Sequence, residues 1–350
     1  MANQSIGTPR FFIDFTQLAK LKGQFYWEEG VDSSGYLLDN SAESTNNIWN
    51  FDFYKVQTYE ANSSATDHGA TFHFRFNEDK NFSRLIRQSN WAGFFNHNFA
   101  STLGGSPFLK IAFKDLDDNQ IVRNLTDDAD FFSNISLDKN GYSLATFEEV
   151  GGEDLRLLWM GIRQQDMDLA EPFSVACASF GRYYDMPNSP DLSITKSIQY
   201  EGVKVQRTLG GSDYVQINNS GTPNWISGEP FALVHPDESS SRFGRHGRRN
   251  WKLKFSYISN DDLFFDLNRP NVFGDLNSAE GSDSNEISAG SEIQQIFDLT
   301  LGGALSFIFC PDKDATNPEF AQCRLDQESL HATQVAHQTW DVSMNIVEIW

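Results

Sequence analysis

The stretch "GFFNHNFAS" sets His97 between Asn96 and Asn98 and offers the sequence's plainest opening for acid–base chemistry. An imidazole titrates near neutral pH, but it becomes a catalyst only beside a nucleophile and under the orientation of a carboxylate. Those partners are spatial, and spacing along the chain does not supply them. The expectation for His97 is therefore a histidine at the edge of a loop.

The paired acids Glu148 and Glu149, and Glu153 and Asp154, carry the residue types a glycosidase uses. That chemistry rests on a fixed separation of two carboxyls across a cleft, which neighbours in sequence do not provide. With 48 acidic residues in the chain, such pairs arise from composition alone. The acidic stretches "KDLDDNQ", "LTDDADF" and "SLDKNGYSLATFEEV" raise the question of calcium. Counted from Ser136, an EF-hand loop finds Asp138, Asn140 and Gly141 in place, but Phe147 stands where the bidentate carboxylate belongs. Asp138 to Gly141 reads instead as a hairpin turn. A surface calcium site elsewhere in these loops stays open, no metal ligands are assigned, and no cofactor is expected.

One basic island breaks the acidic background: "SRFGRHGRRNWKLKF", with Arg242, Arg245, His246, Arg248, Arg249, Lys252 and Lys254. Such an island meets DNA, an anionic glycan, or an acidic patch on another copy of the chain. The formal net charge of -21 works against loose nucleic-acid binding. Aromatic interleaving of the single-strand-binding kind is weak here as well. The reading taken is self-association, with Arg242, Arg245, Arg248, Arg249 and Trp350 as the candidate subunit interface.

Three cysteines, Cys177, Cys310 and Cys323, form no CxxC pair and cannot close a disulfide framework. They read as buried thiols, and a single bridge between Cys310 and Cys323, which flank a loop, stays open. The tetrapeptide "TLGG" occurs at Thr102, Thr208 and Thr300. Its flanks do not align as a tandem repeat, and each glycine pair leads into a strand where a phosphate loop would lead into a helix. It reads as a turn whose adjacent glycines accept positive φ.

The elements that must carry these residues are mostly strands. With 30 Phe among 350 residues, and Gly and Pro recurring throughout, the composition favours short strands over long helices. "TFHFRFNED" alternates Phe72, Phe74 and Phe76 against polar residues. "WKLKFSYIS" places Trp251, Leu253, Phe255 and Tyr257 inward and Lys252 and Lys254 outward. In "TWDVSMNIVEIW" the stripe Trp340, Val342, Met344, Ile346 and Trp350 is broken only by Glu348. Helical spacing is confined to Phe82, Leu85 and Ile86 after Asn81, and to Ile293, Ile296 and Phe297 before Gly302 and Gly303. A boundary near residue 185, where "FSVACASF" gives way to Pro187 and Pro190, divides the chain into domains 1–184 and 185–350. The opening "MANQSIGTPRFF" lacks the basic and apolar regions of a signal peptide, and no apolar run approaches the length of a membrane span, so a soluble chain without membrane insertion is expected.

The closing segment, with its "FDLTLGGALSFIFCPD" and "WDVSMNIVE" strands, and the preceding "FGRYYDMPNSPDLSITKSIQYEGVKVQRTLGG" and "GRRNWKLKFSYIS", resemble tail-tip and baseplate ring proteins of tailed bacteriophages, the distal tail proteins among them. The first half, through "WAGFFNHNFAS", "PFLKIAFKD", "LRLLWMGI" and "FSVACASFGRYY", is similar to galactose-binding-like jelly rolls of the discoidin type, with Asn96 where glycine is usual. These resemblances imply a mainly β chain, a jelly-roll-like sandwich followed by a tail-type β-sandwich or barrel with one or two short helices. They further imply a virion structural protein, made in the host cytoplasm, that assembles with itself into a ring and contacts other tail proteins. An acidic ring lumen would repel passing DNA, and no catalytic activity is implied. The competing expectation is a carbohydrate-binding module that recognises host surface glycan.

Overall fold

Alternation of apolar and polar residues is realised as large antiparallel sheets. The computed structural model describes residues 7–23, 25–26, 36–37, 48–53, 55–61, 68–76, 86–97, 108–114, 120–124, 130–134, 141–151, 155, 157–164, 173–199, 203–217, 248–263, 292–316 and 318–349. In chain order the strands are β1 Arg10–Asp14, β2 Phe25–Tyr26, β3 Tyr36–Leu37, β4 Gln57–Ala61, β5 His68–Phe76, β6 Trp91–His97, β7 Phe108–Lys114, β8 Gln120–Asn124, β9 Asp130–Asn134, β10 Gly141–Thr146 and β11 Leu157–Gln164. They continue with β12 Phe173–Val175, β13 Cys177–Asp185, β14 Thr195–Gln199, β15 Val203–Arg207, β16 Asp213–Ile217, β17 Arg248–Ser259, β18 Phe307–Cys310, β19 Ala321–Leu325, β20 Ala332–Ala336 and β21 Thr339–Glu348. Three short helices complete the described elements: α1 Phe15–Leu21, the single turn α2 Asn260–Leu263, and α3 Glu292–Leu299.

The main sheet has eleven strands in the order β14-β17-β21-β19-β18-β1-β13-β6-β10-β9, with β20 joined to β21. It runs without interruption past residue 185. Strand β1 lies in its middle, pairing Phe11 with Tyr184 of β13 on one side and with Phe309 of β18 on the other. Residues 10–14 thus belong to the strands on both sides of the 184/185 division. At the edge of this seam Arg10 makes a two-pronged ion pair with Asp185, at 2.6 and 2.9 Å, and lies over the Tyr183 ring.

The central strands are apolar on both faces because both faces are covered. On one face, Phe11 and Ile13 of β1, Ala92 and Phe94 of β6, Phe180 of β13, and Phe307 and Phe309 of β18 share a core with Phe72, Phe74, Ile111, Phe113, Leu158 and Met160. These last come from the five-stranded sheet β2-β5-β11-β7-β8. Ring pairs such as Phe74–Phe180 at 5.7 Å and Phe72–Phe94 at 6.0 Å span the gap, so the two sheets pack as a β-sandwich. The same core extends beneath α1 and α3 to Trp251, Leu253 and Phe255 of β17 and Val342, Met344 and Ile346 of β21. On the opposite face, Phe12, Trp91, Phe95, Cys177, Ile308 and Cys310 form a second cluster closed by Phe51, Phe53 and Phe320.

Helix α1 starts directly from β1. Asp14 caps it, accepting from the backbone N–H of Thr16 (3.1 Å) and Gln17 (2.8 Å) and from the hydroxyls of Thr16 (2.7 Å) and Ser179 (2.6 Å). Gly181 is required opposite this junction, since a Cβ there would lie 1.9 Å from the Ile13 carbonyl oxygen, which also accepts from Trp91 Nε1 at 3.2 Å.

The two described TLGG copies are both turns, of different kinds. The copy at Thr208 closes the β15–β16 hairpin, where Gly211 has φ of 83° and its N–H donates to the Thr208 carbonyl at 2.9 Å. The copy at Thr300 ends α3 in a Schellman cap. Gly302 N–H donates to Phe297 O at 2.9 Å and Leu301 N–H to Asp298 O at 3.2 Å. The left-handed cap residue is Leu301, with φ of 52°, so the glycine stop read from sequence begins one residue earlier, on a leucine. The copy at Thr102 and the helical spacing at Phe82 and Leu85 lie outside the described residues.

One inward position moves outward. In β17 the ladder to β21 shifts between Phe255 and Ile258, so Ile258 is buried and Tyr257, at φ of 62°, is 76% exposed. A bulge inserts one residue and reverses the alternation beyond it.

Candidate assembly surface

Of the basic island, Arg248 and Arg249 open β17, while Arg242, Arg245 and His246 lie outside the described residues, as does Trp350. Residues Arg248, Arg249 and Asn250 pair with Gln199, Ile198 and Ser197 of the edge strand β14. Arg248 and Arg249 therefore lie one strand in from β14.

Arg249 is engaged within the chain. Its backbone N–H and Nε donate to Glu348 Oε2, each at 2.9 Å, its Nη2 to Glu348 Oε1 at 2.5 Å and to Phe320 O at 3.2 Å, and its Nη1 to Glu319. This explains Glu348, the one break in the apolar stripe of β21, whose side chain is 4% exposed. Glu319 in turn accepts from Lys196 of β14 at 2.8 and 2.9 Å, and the Trp251 ring lies under both cations. Burial opposes the Arg249 charge, yet the hydrogen bonds and charges of Glu348 and Glu319 hold its pKa above the usual value. Burial likewise opposes ionised Glu319, and Lys196 and Arg249 outweigh it to hold that carboxyl below its usual range. The network tacks β14 to β17, β21 and the 319–320 segment.

Every residue of β14 is exposed, and among the described strands it pairs with β17 alone. Three residues further on, β15 and β16 form a two-stranded sheet of their own, with Val205 opposite Val215 and Arg207 opposite Asp213. Val205 is 60% exposed, Tyr214 60% and Val215 54%, and Leu209 at the tip is fully exposed. A two-stranded ribbon is marginal in water on its own, and among the described residues β15 and β16 have no third strand. Covering each of those side chains against a second surface would contribute about 1.5 to 3 kcal/mol. Among the described residues the β15–β16 ribbon is an arm that shares no ladder with the other sheets.

The chemistry expected elsewhere is largely diverted into structure. His97 ends β6 and is buried, a core position in place of the loop edge read from sequence, with Nε2 2.9 Å from the buried Ser143 hydroxyl. A nucleophile type and a base type thus meet, but burial of the ring lowers its pKa to about 3, and both side chains are sealed at 1% exposure. The pair is a hydrogen bond across β6 and β10 beside the irregularity at Gly141 and Tyr142. Glu149 binds Arg182 at 3.2 Å, and Glu153 and Asp154 lie outside the described residues. β9 and β10 pair antiparallel, and the expected turn from Asp138 falls on connecting residues outside the described set. Among the described residues no group of three or more His, Cys, Asp or Glu is placed to hold a metal, and no helix is long and apolar enough to cross a membrane. All three cysteines are free and buried. Cys310 and Cys323 lie on paired strands but on opposite faces of the sheet, in different cores.

The arm and the Arg249 network were not legible as a unit, because "VKVQR" and "DYVQI" carry the same alternation as a half-buried strand. The chain matches no family model, no curated protein and no solved structure.

Proposed function

We propose that this chain is a structural subunit that assembles with copies of itself, and that the assembly is a ring in the tail tip or baseplate of a tailed bacteriophage. The observation that carries the reading is the β15–β16 arm, which exposes Val205, Leu209, Tyr214 and Val215 beside the fully exposed edge strand β14. A protein whose folded state ended with one chain would gain nothing by this exposure, whereas a subunit recovers it at the contact. The net charge of -21 supports the same reading, keeping unassembled copies apart in solution and disfavouring adhesion to DNA. The specific placement in a phage tail is supported by the resemblance of the second half to tail-tip ring proteins. No catalytic step is assigned.

Sedimentation velocity and negative-stain imaging at tens of micromolar test this. The expected result is an oligomer of fixed stoichiometry and ring outline. Tyr214→Ser combined with Val215→Ser should shift it to monomer with an unchanged far-ultraviolet circular dichroism spectrum, because the arm shares no ladder with the other described sheets. A monomeric parent chain, or a double variant that assembles as the parent does, overturns the proposal. A monomer that binds host oligosaccharides would replace it with the carbohydrate-binding reading.

A further inference from the structure

Among the described elements the β15–β16 arm is the one sheet of only two strands. Every residue from Lys204 to Gln216 is exposed. Across the ladder Lys204 faces Gln216, Val205 faces Val215, Gln206 faces Tyr214 and Arg207 faces Asp213, and among the described residues none of these side chains bonds to its opposite or to the body. The hydrogen bonds that the arm makes beyond its ladder are all at its tip. Thr208 N–H donates to Ser212 O at 2.8 Å and the Thr208 hydroxyl to the same oxygen at 3.0 Å, while Ser212 N–H donates to Thr208 Oγ1 at 3.1 Å. The turn is completed by Gly211 in the left-handed region, at φ of 83°.

Resting on the self-assembly reading, we infer that the arm folds on contact: its strands open and close in the free subunit, its tip turn preserves their register, and docking on a second copy holds them closed. A lone hairpin is marginal in water, and a segment with few buried contacts and exposed hydrogen bonds opens at little cost in free energy. Val205, Tyr214 and Val215, each more than half exposed, give the closed arm little burial within its own chain. A second copy supplies that burial. Lys204 and Arg207 against Asp213 also leave the arm net positive, on a chain whose net charge is -21, so the body of another copy suits its charge. Docking then draws the equilibrium toward the closed arm, and the fraction closed in the free subunit scales the apparent affinity. The arm thereby makes a local folding step part of assembly.

Hydrogen exchange of the full chain, read by mass spectrometry below and above the assembly concentration set by sedimentation, tests this. Ladder amides of 203–207 and 213–217 should exchange within about tenfold of an unstructured peptide in the free subunit, and at least about a hundredfold more slowly in the assembly. Two tip variants separate the arm's own folding from its contacts. At Gly211 a Cβ would meet nothing within 4 Å, so Gly211→Ala acts through the strained left-handed backbone. It should raise the assembly midpoint about five- to thirtyfold. Gly210→Ala adds the same methyl one residue away, outside the left-handed region and 4.0 Å from Thr208 Oγ1, and should leave the midpoint unchanged. An arm protected in the free subunit overturns the inference, as does an assembly whose arm stays unprotected. So does a midpoint that Gly211→Ala leaves in place, or that both variants raise equally. A chain that is monomeric at every concentration overturns the self-assembly reading itself.

Discussion

Acid should destabilise this protein through His97 before its carboxylates titrate. In the fold burial holds the ring's pKa at about 3, whereas in the unfolded chain it returns to about 6.5. As pH falls below 6.5 the unfolded state takes up the proton first, so the stabilisation is full above that pH and is lost progressively down to about pH 3. With those two pKa values the loss is about 1 kcal/mol at pH 5.5 and about 3 kcal/mol at pH 4.5. The assay is urea unfolding at pH 7.5, 5.5 and 4.5, at fixed protein concentration, of the parent chain and of His97→Gln, which keeps a polar group facing Ser143. The variant carries a pH-independent offset, but its stability should fall less steeply, so that the gap to the parent narrows by those amounts. Parallel curves would refute the reasoning. So would an imidazole resonance of His97 that titrates near pH 6 in the folded protein, a measurement that does not depend on the variant folding.

Glu348→Ala should cost about 3 to 5 kcal/mol in chemical denaturation, because it leaves the Arg249 guanidinium buried without its main partner. Arg249→Met with Glu348→Leu should restore most of that, and Glu319→Ala, at a 40% exposed side chain, should cost below about 1 kcal/mol. Leu301→Gly should raise stability by about 0.5 to 1 kcal/mol in a thermal melt by relieving the left-handed cap of α3. Gly181→Ala should lose about 3 kcal/mol, since its methyl would strike the Ile13 carbonyl in the middle of the main sheet. Burial pushes all three thiols up, Cys310 to about 12 and Cys177 and Cys323 well above the usual value. Ellman's reagent should therefore find no thiol in the native protein and three in guanidinium.

The mainly β class was legible because one-sided strands announce themselves. Trp251, Leu253 and Phe255, and Val342, Met344 and Ile346, alternate with exposed or half-buried residues and are buried as the pattern requires. Strand β1 was not legible. "RFFID" is apolar toward both faces, shows no alternation, and runs into α1 without a turn residue, so only its partners reveal it. Tyr257 failed for a different reason, a bulge that periodicity has no means to register. At the candidate surface the arginines were visible as an island, but Glu348 appeared as an interruption because its partner lies 99 positions away. The alternation of the arm is that of a buried hairpin, and the exposure of Val205, Tyr214 and Val215 is a property of three dimensions only.

Strand β1 also sets the order in which this molecule can be made. Arg10 must find Asp185, and then Cys310, about 300 positions downstream. At ordinary ribosomal speeds of about 5 to 20 residues per second, its second flank emerges roughly 15 to 60 s after the strand itself. Through that interval Phe11, Phe12 and Ile13 stand bare or half-docked, and the nascent chain is at its stickiest. Only the docking of β18 covers the second edge of β1 and closes the seam.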